Sequence, residues 1–234
     1  MSEEIRSPAV IPTNCRRLNV LRGGVPGERG GVRLLVIDNG SKSIGVLTRR
    51  LRLLGADVDV LHYGSLCASI PSCNGVVLSG TTVPAFSKTY EAELAILASV
   101  DVPVFGICGG LHLLARATGV DIELGEAAVG ATRVTVEPAD PLFAGLPPVV
   151  TLFQRHCYRL PRVPSEFICI ASSRHCPVEA MRHVHRPLWG LQAHPEFRQD
   201  GLHILCNFVR IVSRRRQHVD ERVGSTTNFR RDLA

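Results

Sequence analysis

The sequence predicts an α/β fold: an open, mostly parallel sheet with helices on both faces, continued by an antiparallel extension. Three observations predict it. Short aliphatic runs alternate with segments of helical period through the first half of the chain. After about residue 120 the helices give way to short runs separated by Pro, Gly and Ser turns. The length of 234 residues suits one large domain better than two. Charged residues make up 21% and hydrophobic residues 45%, a balance that excludes a disordered chain.

Residues 1–31 combine Pro8, Pro12 and Pro26 with five glycines and no sustained period, and are expected to be a flexible leader. Structure is expected to start at Val32. Arg33 to Asp38 reads as a strand buried on both faces, ending in the turn Asn39-Gly40-Ser41. Ile44, Leu47, Leu51 and Leu54 then recur at helical spacing, and Gly55 supplies the stop before a strand at Asp57 to Leu61. The alternation repeats with a strand at Gly75 to Ser79, a helix from Ser87 to Ser99, a strand at Val102 to Ile107 and a helix from Gly110 to Thr118. Five short strands follow, at 131–136, 149–152, 167–170, 178–181 and 188–192. A last helix, Gly201 to Arg214, carries Leu202, Leu205, Val209 and Val212 on one face. The folded domain is thus expected over 32–214, with a basic flexible tail at 215–234.

Lys and Arg number 27 against 21 for Asp and Glu, a net charge of +6 that sits mostly near the two ends. Without interleaved aromatic residues or a nucleic-acid motif, these ends read as solvated, and nucleic acid is not expected as a partner. No apolar run approaches the roughly 18 residues of a membrane span, and no basic segment leads into an apolar one at the N-terminus. The eight cysteines contain no C-x-x-C pair. A reducing cytoplasm is the expected location, with neither metal nor other cofactor.

Phe105-Gly-Ile-Cys-Gly-Gly-Leu111 places Cys108 between a buried strand and a helix, with Gly106 and Gly110 at the spacing of a nucleophile elbow. The helix start exposes amide donors and the positive end of a dipole to the sulfur. A thiol nucleophile needs a base, and the base needs an orienter. Gln192-Ala-His194-Pro-Glu196 supplies both directly after a strand, because residues i and i+2 in extended backbone point the same way. An acyl transfer also needs donors for the oxyanion, and the N–H of Gly109 at the helix start is suitably placed.

Cys108 in its elbow, followed by Trp189-Gly-Leu-Gln-Ala-His-Pro-Glu196, resembles a class I glutamine amidotransferase domain. The likeness extends from Val32 to about Val212 and is similar to the separate glutaminase subunits of GMP synthases. It includes Ile-Asp-Asn-Gly at 37–40, Gly-Val-Val-Leu-Ser-Gly at 75–80, Asp140-Pro-Leu-Phe-Ala-Gly-Leu-Pro147 and Cys176-Pro-Val-Glu-Ala-Met181. The resemblance implies an open, flavodoxin-like α/β sheet, with Cys108 as nucleophile, His194 as base and Glu196 as orienter. It implies a second oxyanion donor and a substrate-facing glycine in the loop Ser79-Gly80-Thr81-Thr82, where Thr81 replaces a family glycine. A β-branched residue resists positive φ, so a loop that needed it would have to change shape. The family's substrate-contacting Gln becomes His112, and its Ser-His-x-Asp becomes Phe153-Gln154-Arg155-His156. His112, Gln154, Arg155 and His156 are therefore candidate substrate contacts.

The leading reading is a glutaminase that releases ammonia through a γ-glutamyl thioester for a partner synthetase subunit, since the sequence holds no P-loop or Gly-rich ATP fingerprint. Two alternatives remain open. The same triad could act on a different γ-glutamyl amide, with His112 and Arg155 reading the altered substrate, or the chain could be a non-catalytic regulatory relative.

Overall fold

The computed structural model describes residues 31–66, 70–84 and 90–229. Apart from Gly31, the expected leader lies outside the described residues. Strands β1 (Val32–Asp38), β2 (Ala56–His62), β3 (Gly75–Leu78) and β4 (Val104–Ile107) alternate with helices α1 (Ile44–Leu53), α2 (Glu91–Ser99) and α3 (Gly109–Arg116). Strands β5 (Glu123–Val136), β6 (Val149–Arg159), β7 (Phe167–Ser172), β8 (Ala180–His183) and β9 (Leu188–Leu191) follow, and α4 (Gln199–Phe229) closes the described chain. All nine strands form one sheet in the order β2-β1-β3-β4-β9-β8-β7-β5-β6. The pairs from β2 to β9 are parallel and those from β9 to β6 antiparallel. This is the α/β sheet with an antiparallel extension that the sequence predicts.

Alternation within the central strands sends neighbouring side chains to opposite faces, and each face finds its own helices. Leu34 and Val36 join Leu47 and Leu51 of α1 and Leu205 and Phe208 of α4, where Phe208 packs 5.2 Å from the Phe105 ring. Leu35 and Ile37 join Leu97 of α2 and Leu111 and Leu114 of α3. Gly55, at φ +86°, ends the first helix in the left-handed region that its lack of a Cβ allows.

Four elements depart most from expectation. Helix α2 begins at Glu91, and the expected start at Ser87 lies outside the described residues. Strands β5 and β6 are much longer than the short runs expected, because they pair with each other from Thr135↔Val149 out to Glu123↔Arg159, across an irregularity between Leu124 and Ala128. Gly125, Gly130 and the half-exposed pattern of β5 conceal this strand from a reading of propensity. Helix α4 passes the expected stop at Arg214 and runs to Phe229. No proline or glycine interrupts residues 215–223. Arg215 also pairs with Asp101 at 2.7 Å, and Arg216 donates to the Gly31 carbonyl at 2.7 Å.

The sheet curls, so that its edge strand returns to the middle of the molecule. An isolated antiparallel bridge joins Phe153 of β6 to His194, whose backbone N–H donates to the Phe153 carbonyl at 2.8 Å. The far end of the extension is thereby brought to the carboxyl ends of the parallel strands, where open α/β sheets place their sites.

Candidate functional site

Cys108 sits between β4 and α3 at φ 50° and ψ −103°, and among the described residues it is the only non-glycine with positive φ. Such backbone costs about 1–3 kcal/mol and persists only where the surroundings impose it. Here the Cys108 N–H donates to the Leu191 carbonyl at 2.7 Å. A Cβ on Gly106 would lie 2.5 Å from the Gly110 carbonyl carbon and oxygen, and one on Gly110 would lie 2.5 Å from the Leu78 carbonyl oxygen. Neither backbone atom can yield. Gly106→Ala is expected to destabilise the fold by about 1–3 kcal/mol and to displace the sulfur, read as a lower denaturant midpoint together with loss of turnover.

His194 and Glu196 follow β9 and are 3% and 2% exposed. His194 Nδ1–H donates to Glu196 Oε1 at 2.9 Å, and Ser43 Oγ donates to the same oxygen at 2.6 Å. The Glu196 backbone carbonyl accepts from Arg50 Nε at 3.3 Å. Burial opposes charge on His194, but hydrogen bonds to Cys108 and Glu196, reinforced by the charges of both, outweigh it and raise His194 to about 10. Burial would likewise raise Glu196, yet the hydrogen bonds from His194 and Ser43 and the imidazolium charge hold it below the usual carboxylate range. Sulfur, imidazole and carboxylate thus form one chain with a cationic ring at its centre.

The loop after β3 covers the sulfur. A Cβ on Gly80 would stand 3.2 Å from His194 Cε1 and 3.6 Å from Cys108 Cβ, so this glycine admits the loop to both side chains. A Cβ on Gly109 would lie 2.9 Å from the Thr81 nitrogen, which puts Thr81 directly against the residue that follows Cys108. Thr81 does not adopt positive φ. Its β-branched side chain is accommodated without strain, and Thr81 Oγ1 accepts from the Val83 N–H at 3.2 Å.

A cavity of about 470 Å³ opens over Cys108, Gly109, Thr81 and His194. Of the candidate substrate contacts it receives His112, Arg155 and His156, together with Lys42. Gln154 is corrected: its side chain is fully buried and its Nε2 donates to Glu179 Oε2 at 2.8 Å, away from the cavity lining. Alternation along β6 turns it inward. Arg155 lies over the Phe197 ring at 5.9 Å, and that ring packs 4.9 Å from Phe153. Burial first, then the nearby charges of His194 and Arg159, push His156 down to about 4, which leaves it neutral at physiological pH. His112 lines the cavity, yet its Nε2 is bonded inward to Gln192 Oε1 at 2.9 Å. Among the described residues, no group of three His, Cys, Asp or Glu side chains is placed to hold a metal ion, and no helix is long and apolar enough to cross a membrane.

Two contributors escaped the sequence reading. Ser43 reaches Glu196 across 153 positions, and no local pattern signals that contact. Gln192 donates from Nε2 to Cys108 Sγ at 3.8 Å. The period of two that pairs His194 with Glu196 also puts Gln192 on their side, and that signal was present.

A buried acid underlies the loop. Glu93 Oε1 accepts from Asn39 Nδ2 at 3.2 Å, and the same amide donates to the Ser79 carbonyl at 3.3 Å. Among the described residues, neither Asn39 Oδ1 nor Glu93 Oε2 has a hydrogen-bond partner. Burial raises Glu93 from 4.5 to about 7, against the hydrogen bond from Asn39. The folded state therefore holds this proton more tightly than the unfolded chain, and stability falls as pH rises from about 4.5 to about 7. Glu93→Gln keeps the shape and supplies a donor. Its melting temperature should lose that slope, with a gain on the order of 2–3 kcal/mol at pH 8.

Residues 35–212 match the family described as glutamine amidotransferase class-I. The glutamine-hydrolyzing GMP synthase subunit of Archaeoglobus fulgidus is 31% identical over 188 residues, 78% of this chain and 100% of that protein. The glutamine-hydrolyzing GMP synthase of Chlamydia muridarum is 32% identical over 188 residues, which make up 76% of this chain but 36% of that longer protein. Among solved structures, one assigned as a GMP synthase subunit of Thermoplasma acidophilum superposes with a TM-score of 0.77 at 27% identity, covering 82% of this chain and 100% of that one.

Proposed function

The chain belongs to the class I glutamine amidotransferases, and from that premise we propose that it releases ammonia from glutamine through a γ-glutamyl thioester on Cys108 for use by a separate synthetase subunit. The observation that carries this reading is the buried chain Cys108–His194–Glu196, anchored by Ser43, with Thr81 packed against Gly109 beside it. The Cys108 sulfur, as thiolate, attacks the amide carbon. The N–H groups of Gly109 and Thr81 hold the resulting oxyanion. His194 gives its proton to the amide nitrogen, the C–N bond breaks, and ammonia leaves. Water then attacks the thioester with His194 as base, releasing glutamate and the sulfur.

Support for a synthetase partner comes from the relatives: the Archaeoglobus protein is one subunit of its enzyme and matches over its whole length, whereas the Chlamydia enzyme carries a further part beyond the match. A second reading, a different γ-glutamyl amide, is favoured by the cavity's charge. Among the described residues its lining includes Lys42 and Arg155 but no carboxylate, which suits a substrate with an additional anionic group. Incubating the protein with glutamine and with γ-glutamyl amides, while measuring ammonia, amine and glutamate, tests both. Ammonia from glutamine as the dominant product supports the first reading, and amine release with negligible glutamine turnover overturns it in favour of the second.

A further inference from the structure

We propose that Gln192 and His112 are positioning residues that hold an amide N–H against the nucleophilic sulfur, so that His112 serves the Cys108 thiolate through Gln192. The proposal rests on Cys108 being the nucleophile. Gln192 is fully buried and His112 is 4% exposed. Gln192 Nε2 donates to Cys108 Sγ at 3.8 Å, and its Oε1 lies 2.9 Å from His112 Nε2.

Chemistry fixes the direction of every bond. A thiolate only accepts, so the Gln192 amide must present nitrogen to it. Oε1 then faces His112 and also only accepts, so His112 must donate from Nε2. That demands the Nε2–H imidazole with Nδ1 free of its proton. Burial keeps His112 neutral by pushing it down to about 4, against the Gln192 hydrogen bond. Were His112 absent, the amide could rotate and point its oxygen at the sulfur, replacing an attraction with a repulsion. The other titratable groups around this chain are His194 after β9, which is bonded to the sulfur and itself paired with Glu196, His156 of β6, which bears on His112, and Lys42, Arg155, Cys157 and Tyr158, which line the cavity beside the sulfur.

The position of His112 follows from the fold. Helix α3 starts at the nucleophile, and its backbone is tied back there by the bond from the His112 N–H to the Cys108 carbonyl at 3.2 Å. Residue 112 is thus one turn beyond the sulfur, while residue 192 follows β9, the neighbour of β4. The side chain before His112 cannot take this role, because Leu111 is fully buried in the core.

The test is the pH profile of Cys108 alkylation by iodoacetamide, followed by peptide mapping, in the full chain. Cys108→Ala identifies the signal. Gln192→Leu should raise the alkylation midpoint by about one pH unit, since a hydrogen bond to the charged form is lost. His112→Phe should shift it the same way, and His112→Gln, which restores a donor to Oε1, should return it to the parental value. In glutamine hydrolysis the two disruptive variants should lower kcat near neutral pH with KM little changed. An unchanged midpoint in a folded Gln192→Leu or His112→Phe overturns the proposal, as does failure of His112→Gln to restore it. If Gln192→Leu does not fold, the two His112 variants decide alone. Alkylation needs no substrate, so a protein inactive on glutamine fails the proposed function without touching this result.

Discussion

Cys108→Ala is expected to abolish ammonia release, with a loss of at least about 10⁴-fold, while the protein melts within a degree or two of the parent. The two halves of this expectation have separate causes. Chemistry is lost in the proposed mechanism because alanine has no sulfur to attack the amide carbon. Structure is kept because alanine and cysteine share a Cβ, so the backbone at φ 50° is no worse for one than for the other. The neighbouring glycines, which the elbow does require, are untouched. Residual turnover within about tenfold of the parent would exclude Cys108 as nucleophile. A complementary reading comes from an electrophilic glutamine analogue, which should label Cys108 ahead of the other thiols. Cys176 is buried, and burial aided by the charge of Glu179 pushes it up to about 12. Cys73 and Cys169 are likewise raised, chiefly by burial. Cys157 is exposed and lines the same cavity, which makes it the informative competitor in peptide mapping.

His194→Ala should cost about 10³- to 10⁴-fold in kcat, and Glu196→Gln less. In the proposed mechanism His194 both takes the thiol proton and returns it to the leaving nitrogen, whereas Glu196 acts only through the ring it orients. Glu196 Oε1 accepts from both His194 Nδ1 and Ser43 Oγ. Glutamine at this position keeps an acceptor oxygen but loses the negative charge that favours the imidazolium, so His194 should titrate lower. Ser43→Ala should follow Glu196→Gln in direction with a smaller loss, because it removes one of two donors to that oxygen. Steady-state kinetics together with an NMR titration of the ring resolves the order. A Glu196→Gln protein as active as the parent would reduce the triad to Cys108 and His194.

Some of this was legible in the residues alone. The parallel half announced itself because its inner strands are short, largely aliphatic runs, which are stable only when both faces are covered, and because they alternate with helical periods. The elbow and the Gln192–Glu196 segment were legible because their geometry is local. A tight turn needs glycines at fixed offsets, and extended backbone has a period of two. The antiparallel extension was seen only as fragments, since Glu123–Val136 is half exposed and takes its register from β6 rather than from its own pattern. The length of α4 was missed because the charged residues after Arg214 look like a solvated tail until Asp101 is placed beside them.

The sequence by itself determined the alternation of strands and helices along the first half of the chain, the turn at Cys108 and the shared direction of His194 and Glu196. All are set by interactions within a few residues. Only the tertiary structure decided what those groups meet: that Ser43 holds Glu196, that Gln154 turns inward to Glu179, that Thr81 lies beside Gly109, and that Gln192 joins His112 to the sulfur. The physical reason is that a hydrogen bond acts over about 3 Å, whichever residues supply it. The curl of the sheet, pinned by the bridge from Phe153 to His194, sets which residues arrive within that distance.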